Sequence, residues 1–229
     1  DGRGCERCDG TGYMYDESVE ELIRPAVLDA TEGKEMLFHG AGREDVDALM
    51  LGEGRPFVVE VKEPKERSFE LDELTEAINE SADGKVEVEN LKFVEGDMVE
   101  RVKELDASKV YRMEVEVSER VTQDELDDAL ERIEGATVEQ RTPQRVDHRR
   151  ADKVRKREVY EAEGEVEEDG TLTVEIHGEG GLYVKELISS DEGRTSPSLA
   201  GLLNAEAEVT ALDVLDVRGD FVKDELVKK

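Results

Sequence analysis

The sequence predicts an α+β fold in which a large, mainly antiparallel sheet is flanked by helices. Three observations carry that expectation. Residues 109–117 alternate cleanly, with Val110, Arg112, Glu114 and Glu116 on one side and Tyr111, Met113, Val115 and Val117 on the other. From Thr122, apolar residues recur at helical spacing (Leu126, Ala129, Leu130, Ile133), behind a Thr122–Glu125 capping box. Strands and helices then follow one another without strict βαβ alternation, which favours antiparallel pairing.

The remaining elements follow in order. Residues 1–17 hold a glycine-rich knuckle around Cys5 and Cys8. A Cys-x-x-Cys pair supplies half of a tetrahedral zinc site. His39, His148 and His177 are scattered, so zinc is expected there only with ligands from outside this chain. Two cysteines also argue against a disulfide scaffold. Residues 18–28 predict an amphipathic helix that Pro25 interrupts or reshapes. Met36, Leu37 and Phe38 lead as a strand into a glycine-rich loop, and Phe57, Val58, Val59 and Val61 lead out of it. A helix is expected over 70–79, a strand over 86–94 and a helix over 97–105. Gly135 ends the Thr122 helix. Strands follow over 136–140, 158–167 and 171–177, the last two joined by a turn at Glu168, Asp169 and Gly170. Helices over 182–189 and 196–203 precede a long strand over 206–217, and 223–229 reads as a frayed tail.

The 61 acidic and 31 basic residues give a formal charge of −30, which repels itself in dilute salt. In molar salt the screening length falls to about 3 Å, so this composition predicts a salt-loving source. The competing reading is a disordered acidic chain, and regular apolar periodicity along most of the length counts against it. Nothing is long and apolar enough to span a bilayer, and no signal pattern opens the chain, so a cytoplasmic protein is expected. One stretch departs from the acidic background. Between 141 and 157, eight cations (Arg141, Arg145, Arg149, Arg150, Lys153, Arg155, Lys156, Arg157) face only Asp147 and Asp152. Such an island suits contacts to phosphates.

Chemistry is expected at the glycine-rich loop, where Arg43, Asp45 and Asp47 stand between Gly40, Gly42, Gly52 and Gly54. The bland alternative is a surface turn whose Arg43 and Asp45 pair with each other. Two further pieces belong with the loop. One is Lys109-Val110-Tyr111. The other runs from Gly180 through Tyr183, Lys185 and Leu187 to Gly193-Arg194-Thr195-Ser196-Pro197-Ser198.

Gly42-Arg43-Glu44-Asp45-Val46-Asp47 and the Gly-Arg-Thr-x-Pro-Ser run resemble the pseudouridine synthases. With 141–157 and 181–203, they look most like the archaeal and eukaryotic tRNA branch that carries an N-terminal THUMP-type RNA-binding domain. The resemblance covers about residues 1–220. It implies a pseudouridine synthase fold over 18–222, with 1–17 as a linker left from an absent N-terminal domain. It implies that Asp45 is the catalytic aspartate, with Asp47 as its competitor. Tyr111 matches the tyrosine that stacks under the target base, and Lys185 the basic partner of the aspartate. Leu187 packs behind the site, and Arg43 helps to hold an extruded nucleotide. Tyr183, Arg145, Arg149, Arg150 and Arg155 complete the expected RNA-binding set. The implied reaction turns T-loop uridines 54 and 55 of tRNA into pseudouridine without metal or redox cofactor. The expected partner is tRNA, bound by a monomer, with neither DNA nor membrane involved. Two alternatives come from other classes. One is a non-catalytic RNA-binding module; the other is a glycoside-processing enzyme using Asp45 and Asp47 as paired carboxylates.

Overall fold

The computed structural model describes residues 18–42, 48–52, 54–105, 107–148 and 150–219. In chain order the elements are α1 (Val19–Thr31), β1 (Glu35–Gly40), β2 (Ala48–Met50), β3 (Phe57–Lys62), α2 (Leu71–Ser81), α3 (Met98–Lys103), β4 (Ser108–Val117), α4 (Gln123–Ile133), β5 (Thr137–Arg141), β6 (Val154–Val166), β7 (Leu172–Gly178), α5 (Val184–Ser189), β8 (Thr195–Ser196), α6 (Leu199–Leu203) and β9 (Ala207–Arg218). They gather into two compact units. The smaller takes the described residues up to Gly40 with Phe57–Lys103, and the larger takes Ala41–Pro56 with those from Glu104 onward.

In the smaller unit, β1 and β3 form an antiparallel ribbon from the Glu35–Lys62 pair to the Gly40–Phe57 pair. Ile23, Val27, Met36, Leu74, Ile78 and Val88 make its core. Pro25 does not interrupt α1, which runs on to Thr31 with the Ser18 side chain capping the Glu21 N–H. A proline inside a helix costs about 3 kcal/mol. Burying Ile23 and Val27 on the inward face returns about 1.5–3 kcal/mol each, enough to carry the helix through.

The strand expected over 86–94 is not formed. Val88 is buried, but its backbone meets a side chain: Asn79 Nδ2 donates to the Val88 carbonyl at 2.9 Å, and the Val88 N–H donates to Asn79 Oδ1 at 2.7 Å. With one residue's polar groups satisfied this way, the segment buries its apolar side chain without a partner strand.

The larger unit is built on a seven-stranded sheet of order β2-β9-β4-β7-β6-β5-β8. Every pairing is antiparallel except β2 with β9. The expected α+β class with a large, mainly antiparallel sheet is therefore found. Strand β4 buries Tyr111, Met113 and Val115 and exposes Arg112, Glu114 and Glu116, as its alternation predicts. Helix α4 has both hydrogen bonds of its capping box and buries Leu126, Ala129, Leu130 and Ile133. It packs on β6, while α5 packs on β9 and α6. Strand β6 starts at Val154, four residues before the expected 158, so it draws Arg155, Lys156 and Arg157 of the basic island into the sheet. Helix α6 starts at Leu199, because the Ser198 hydroxyl accepts the Gly201 N–H. No helix among the described residues is long and apolar enough to cross a membrane.

Candidate active site

Strand β9 is the common neighbour of the pieces singled out in the sequence, and β2 and β4 both meet it at Leu212–Val214. On one side runs β2, with Ala48 beside Leu212 and Met50 beside Val214. Beyond Met50, the Leu51 N–H donates to the Val214 carbonyl at 2.8 Å. At Gly52 (φ +65°) a Cβ would sit 2.3 Å from the Leu215 carbonyl oxygen, so only glycine lets the chain pass so close. On the other side runs β4, with Tyr111 beside Val214. The β4–β9 register shifts between Val110 and Tyr111. Such a bulge re-aims the side chains around it.

Tyr111 is 4% exposed and shares a core cluster with Leu187, Leu212 and Val214. The two sheet neighbours and α5 thus bring Tyr111, the strand that follows the glycine-rich loop and the Lys185-bearing helix to one region. Arg43, Asp45, Asp47 and Arg149 lie outside the described residues, as do Cys5 and Cys8.

Helix α5 is fixed at both of its early positions. Gln140, fully buried in β5, accepts the Tyr183 N–H and donates to the Tyr183 carbonyl, each at 2.8 Å. Glu186 is 4% exposed, and Arg145 forks onto it from Nε at 2.6 Å and from its terminal nitrogen at 3.2 Å. Only the carboxylate is buried, the Arg145 side chain being 37% exposed, so losing Arg145 strands the Glu186 charge whereas losing Glu186 leaves Arg145 to solvent. Between these anchors Lys185 is half-buried, while Leu187 is fully buried. The Tyr183 hydroxyl is buried without a hydrogen-bond partner among the described residues. The Arg155 guanidinium lies 6.0 Å from the Tyr183 ring centroid, at the outer edge of cation–π reach.

The structure divides the basic island by partner. Arg141 binds Asp152 through two nitrogens, at 2.5–3.0 Å. Lys156 meets Glu139 at 2.8 Å, and Arg157 lies 3.4 Å from Glu179. Arg155 donates to the Thr142 hydroxyl at 2.9 Å. These contacts move the titrations: the hydrogen bonds and charge of Arg141, helped by Arg194, hold Asp152 below the ordinary aspartate value. Glu139 holds Lys156 above the ordinary lysine value. Arg150 and Lys153 are the exposed cations of the island without a side-chain partner among the described residues.

One residue named in the sequence beside Tyr111 is given no role of its own there. Lys109 is 7% exposed and stands on the buried face of β4, two residues before Tyr111. Its even spacing from Tyr111 on an alternating strand was the available signal. With Ala41, Gly42, Glu104, Leu105, Ala107, Gly180 and Gly181 it lines a cleft of about 370 Å³. Among the described residues, no group of three or more His, Cys, Asp or Glu is placed to hold a metal ion.

Comparison with known proteins bears on the family and the fold. The family model described as "Pus10, C-terminal" matches residues 6–218. A protein of Halorubrum lacusprofundi named tRNA pseudouridine synthase Pus10 is 61% identical over 94% of this chain and 51% of its own length. One of the same name from Methanothrix thermoacetophila is 54% identical over 95% of this chain and 48% of its own length. This chain therefore spans about half the length of these curated relatives, and a halophile among them accords with its acidic composition. A solved chain from a Cbf5–Nop10–Gar1 complex superposes with a TM-score of 0.54 at 17% identity, covering 88% of this chain and 45% of that one. That likeness is one of fold. With the family model matched along nearly the whole chain, the protein belongs to the Pus10 C-terminal family.

Proposed function

We propose that this chain is the catalytic part of a tRNA pseudouridine synthase, acting on T-loop uridines 54 and 55. The observation that carries the proposal is the convergence on β9 of β2, Tyr111 and α5, in a chain that matches the Pus10 C-terminal family. Asp45, three residues before β2, acts on the ribose as nucleophile or base. The N1–C1′ bond breaks, the base turns, and C5 bonds to C1′. C5 then loses its proton and N1 gains one, so the product is an isomer of the substrate. Tyr111 stacks under the base and assists removal of the C5 proton. Lys185 keeps the aspartate charged. Arg43 holds the extruded nucleotide, and Arg150, Lys153 and Arg155 meet backbone phosphates. This reaction needs neither a metal nor a redox cofactor, and a cytoplasmic monomer suffices for it.

Pseudouridine mapping on an unmodified tRNA transcript in molar potassium chloride tests the proposal. The wild-type chain is expected to place pseudouridine in the T-loop, and Asp45→Ala to place none while still binding tRNA. Activity surviving in Asp45→Ala overturns the residue assignment in favour of Asp47. No product from wild type, with tRNA still bound, favours the RNA-binding module.

A further inference from the structure

The walls of the cleft beside Tyr111 carry few side chains. Gly42, Gly180 and Gly181 form much of its lining, with Ala41 and Ala107. A cation stands at two of these glycines. Lys109 Nζ lies 3.2 Å from where a Cβ on Gly42 would be, and Arg157 Nε lies 3.3 Å from where one on Gly181 would be. Lys109 is buried on the Tyr111 face of β4. Arg157 Nε is buried without a hydrogen-bond partner among the described residues, although its terminal nitrogen donates to the Lys156 carbonyl at 2.8 Å.

We propose that this cleft is a phosphate subsite, in which Lys109 and Arg157 take one phosphodiester of the bound RNA next to the target nucleotide. The inference rests on the reading of this chain as an enzyme acting on RNA, and adds to it a site for one backbone group. Bare glycine walls let a phosphate approach the main chain closely. Lys109 supplies a point charge, and the Arg157 guanidinium, whose Nη2 stands 3.5 Å from the same Gly181 position, supplies a planar donor. Strand geometry puts Lys109 about 7 Å along β4 from Tyr111, the right scale for a phosphate adjoining a nucleotide whose base stacks there. Glu104 on the lining and Glu179 beside Arg157 repel a loosely held anion. In molar salt this opposition is screened, while direct hydrogen bonds in the cleft are kept.

The test is a T-arm RNA hairpin in which each phosphodiester near the target uridine is replaced in turn by a neutral methylphosphonate. Affinity is read by fluorescence anisotropy in molar potassium chloride, and pseudouridine is mapped separately on the same RNAs. For the wild-type chain, one linkage is expected to cost roughly tenfold in affinity, the scale of a lost charge-assisted hydrogen bond. Lys109→Met should lose sensitivity at that linkage and keep the profile elsewhere. Arg157→Gln, at a more exposed position, should blunt the same linkage and keeps the test decisive if Lys109→Met melts early. Identical profiles in wild type and both variants overturn the subsite. Linkage-specific coupling without pseudouridine from wild type leaves the subsite standing and overturns the catalytic reading instead. Pseudouridine without coupling does the reverse, and a wild-type chain that binds no hairpin overturns both.

Discussion

The side chain of Gln140 hydrogen-bonds both backbone polar groups of Tyr183, at 2.8 Å each, as a neighbouring strand would. Replacing it with leucine keeps the volume and leaves the Tyr183 N–H unpaired, while the Tyr183 carbonyl keeps the Leu187 N–H at 3.0 Å. Losing such a partner costs about 1–3 kcal/mol, so Gln140→Leu should destabilise the larger unit by roughly that much. In a chain of this size that lowers the melting temperature by roughly 2–12 °C, readable by calorimetry in molar potassium chloride. A change under about 1 kcal/mol would mean that Tyr183 finds other partners and that Gln140 does not anchor the start of α5.

Tyr111→Phe separates the two tasks assigned to Tyr111. The ring stays in its buried place on β4, so stacking and packing are preserved. Losing the hydroxyl removes its part in proton transfer, typically worth about 10²–10⁴ in rate. The expected outcome is a fall in kcat of that order with little change in KM, in a protein whose melting temperature is near wild type. Unchanged kcat would restrict Tyr111 to stacking and send the proton to another group.

The sequence was most informative where one period ran undisturbed. Strand β4 alternates between a buried and an exposed face, and α4 begins with a capping box and buries four residues at helical spacing; both stand as expected. It was least informative where a polar side chain replaced main-chain pairing, since no local period encodes a contact between distant residues. Asn79 satisfies Val88 and so removes the need for a strand at 86–94. Gln140 and Glu186 are buried polar groups whose partners, Tyr183 and Arg145, lie over 40 residues away in sequence. Strand β2 has three residues, too few to alternate visibly, and finds its parallel partner near the end of the chain. Tyr111 and Leu187 were legible because apolar packing and a candidate role coincide there. The burial of Lys109, named only as a neighbour of Tyr111, was hidden because hydropathy assigns lysine to solvent.

Arg150 and Lys153 should govern RNA affinity more than Arg141 does, although all three stand in the basic island. Arg141 is already held by Asp152, so less of its charge is available to an anion. Arg150→Gln and Lys153→Gln should each weaken tRNA binding and each lower the salt slope of the affinity by about one, as expected for one phosphate contact. Arg141→Gln should change that slope by less. Equal slopes for all three variants would mean that RNA displaces Asp152 from Arg141.

Protonating Asp152 should loosen the Arg141 arm. Its carboxylate takes hydrogen bonds from Arg141 at 2.5–3.0 Å and lies 3.7 Å from Arg194, so its titration in the folded chain falls below the ordinary value of 3.8. A lowered value in the folded state means that the unfolded chain takes up the proton first as pH falls. The stabilisation from this pair is therefore complete above the ordinary aspartate value and disappears as pH drops through the lowered one. Both side chains are about half exposed, so salt screens the pair and its contribution shrinks in molar potassium chloride. Carbon-detected NMR titration of the Asp152 carboxyl should place its midpoint below 3.8 in the wild-type chain, and higher in Arg141→Gln. Raising the salt should move the wild-type midpoint upward in the same direction. A midpoint unmoved by Arg141→Gln would assign the shift to Arg194 and return Arg141 to the cations available for RNA.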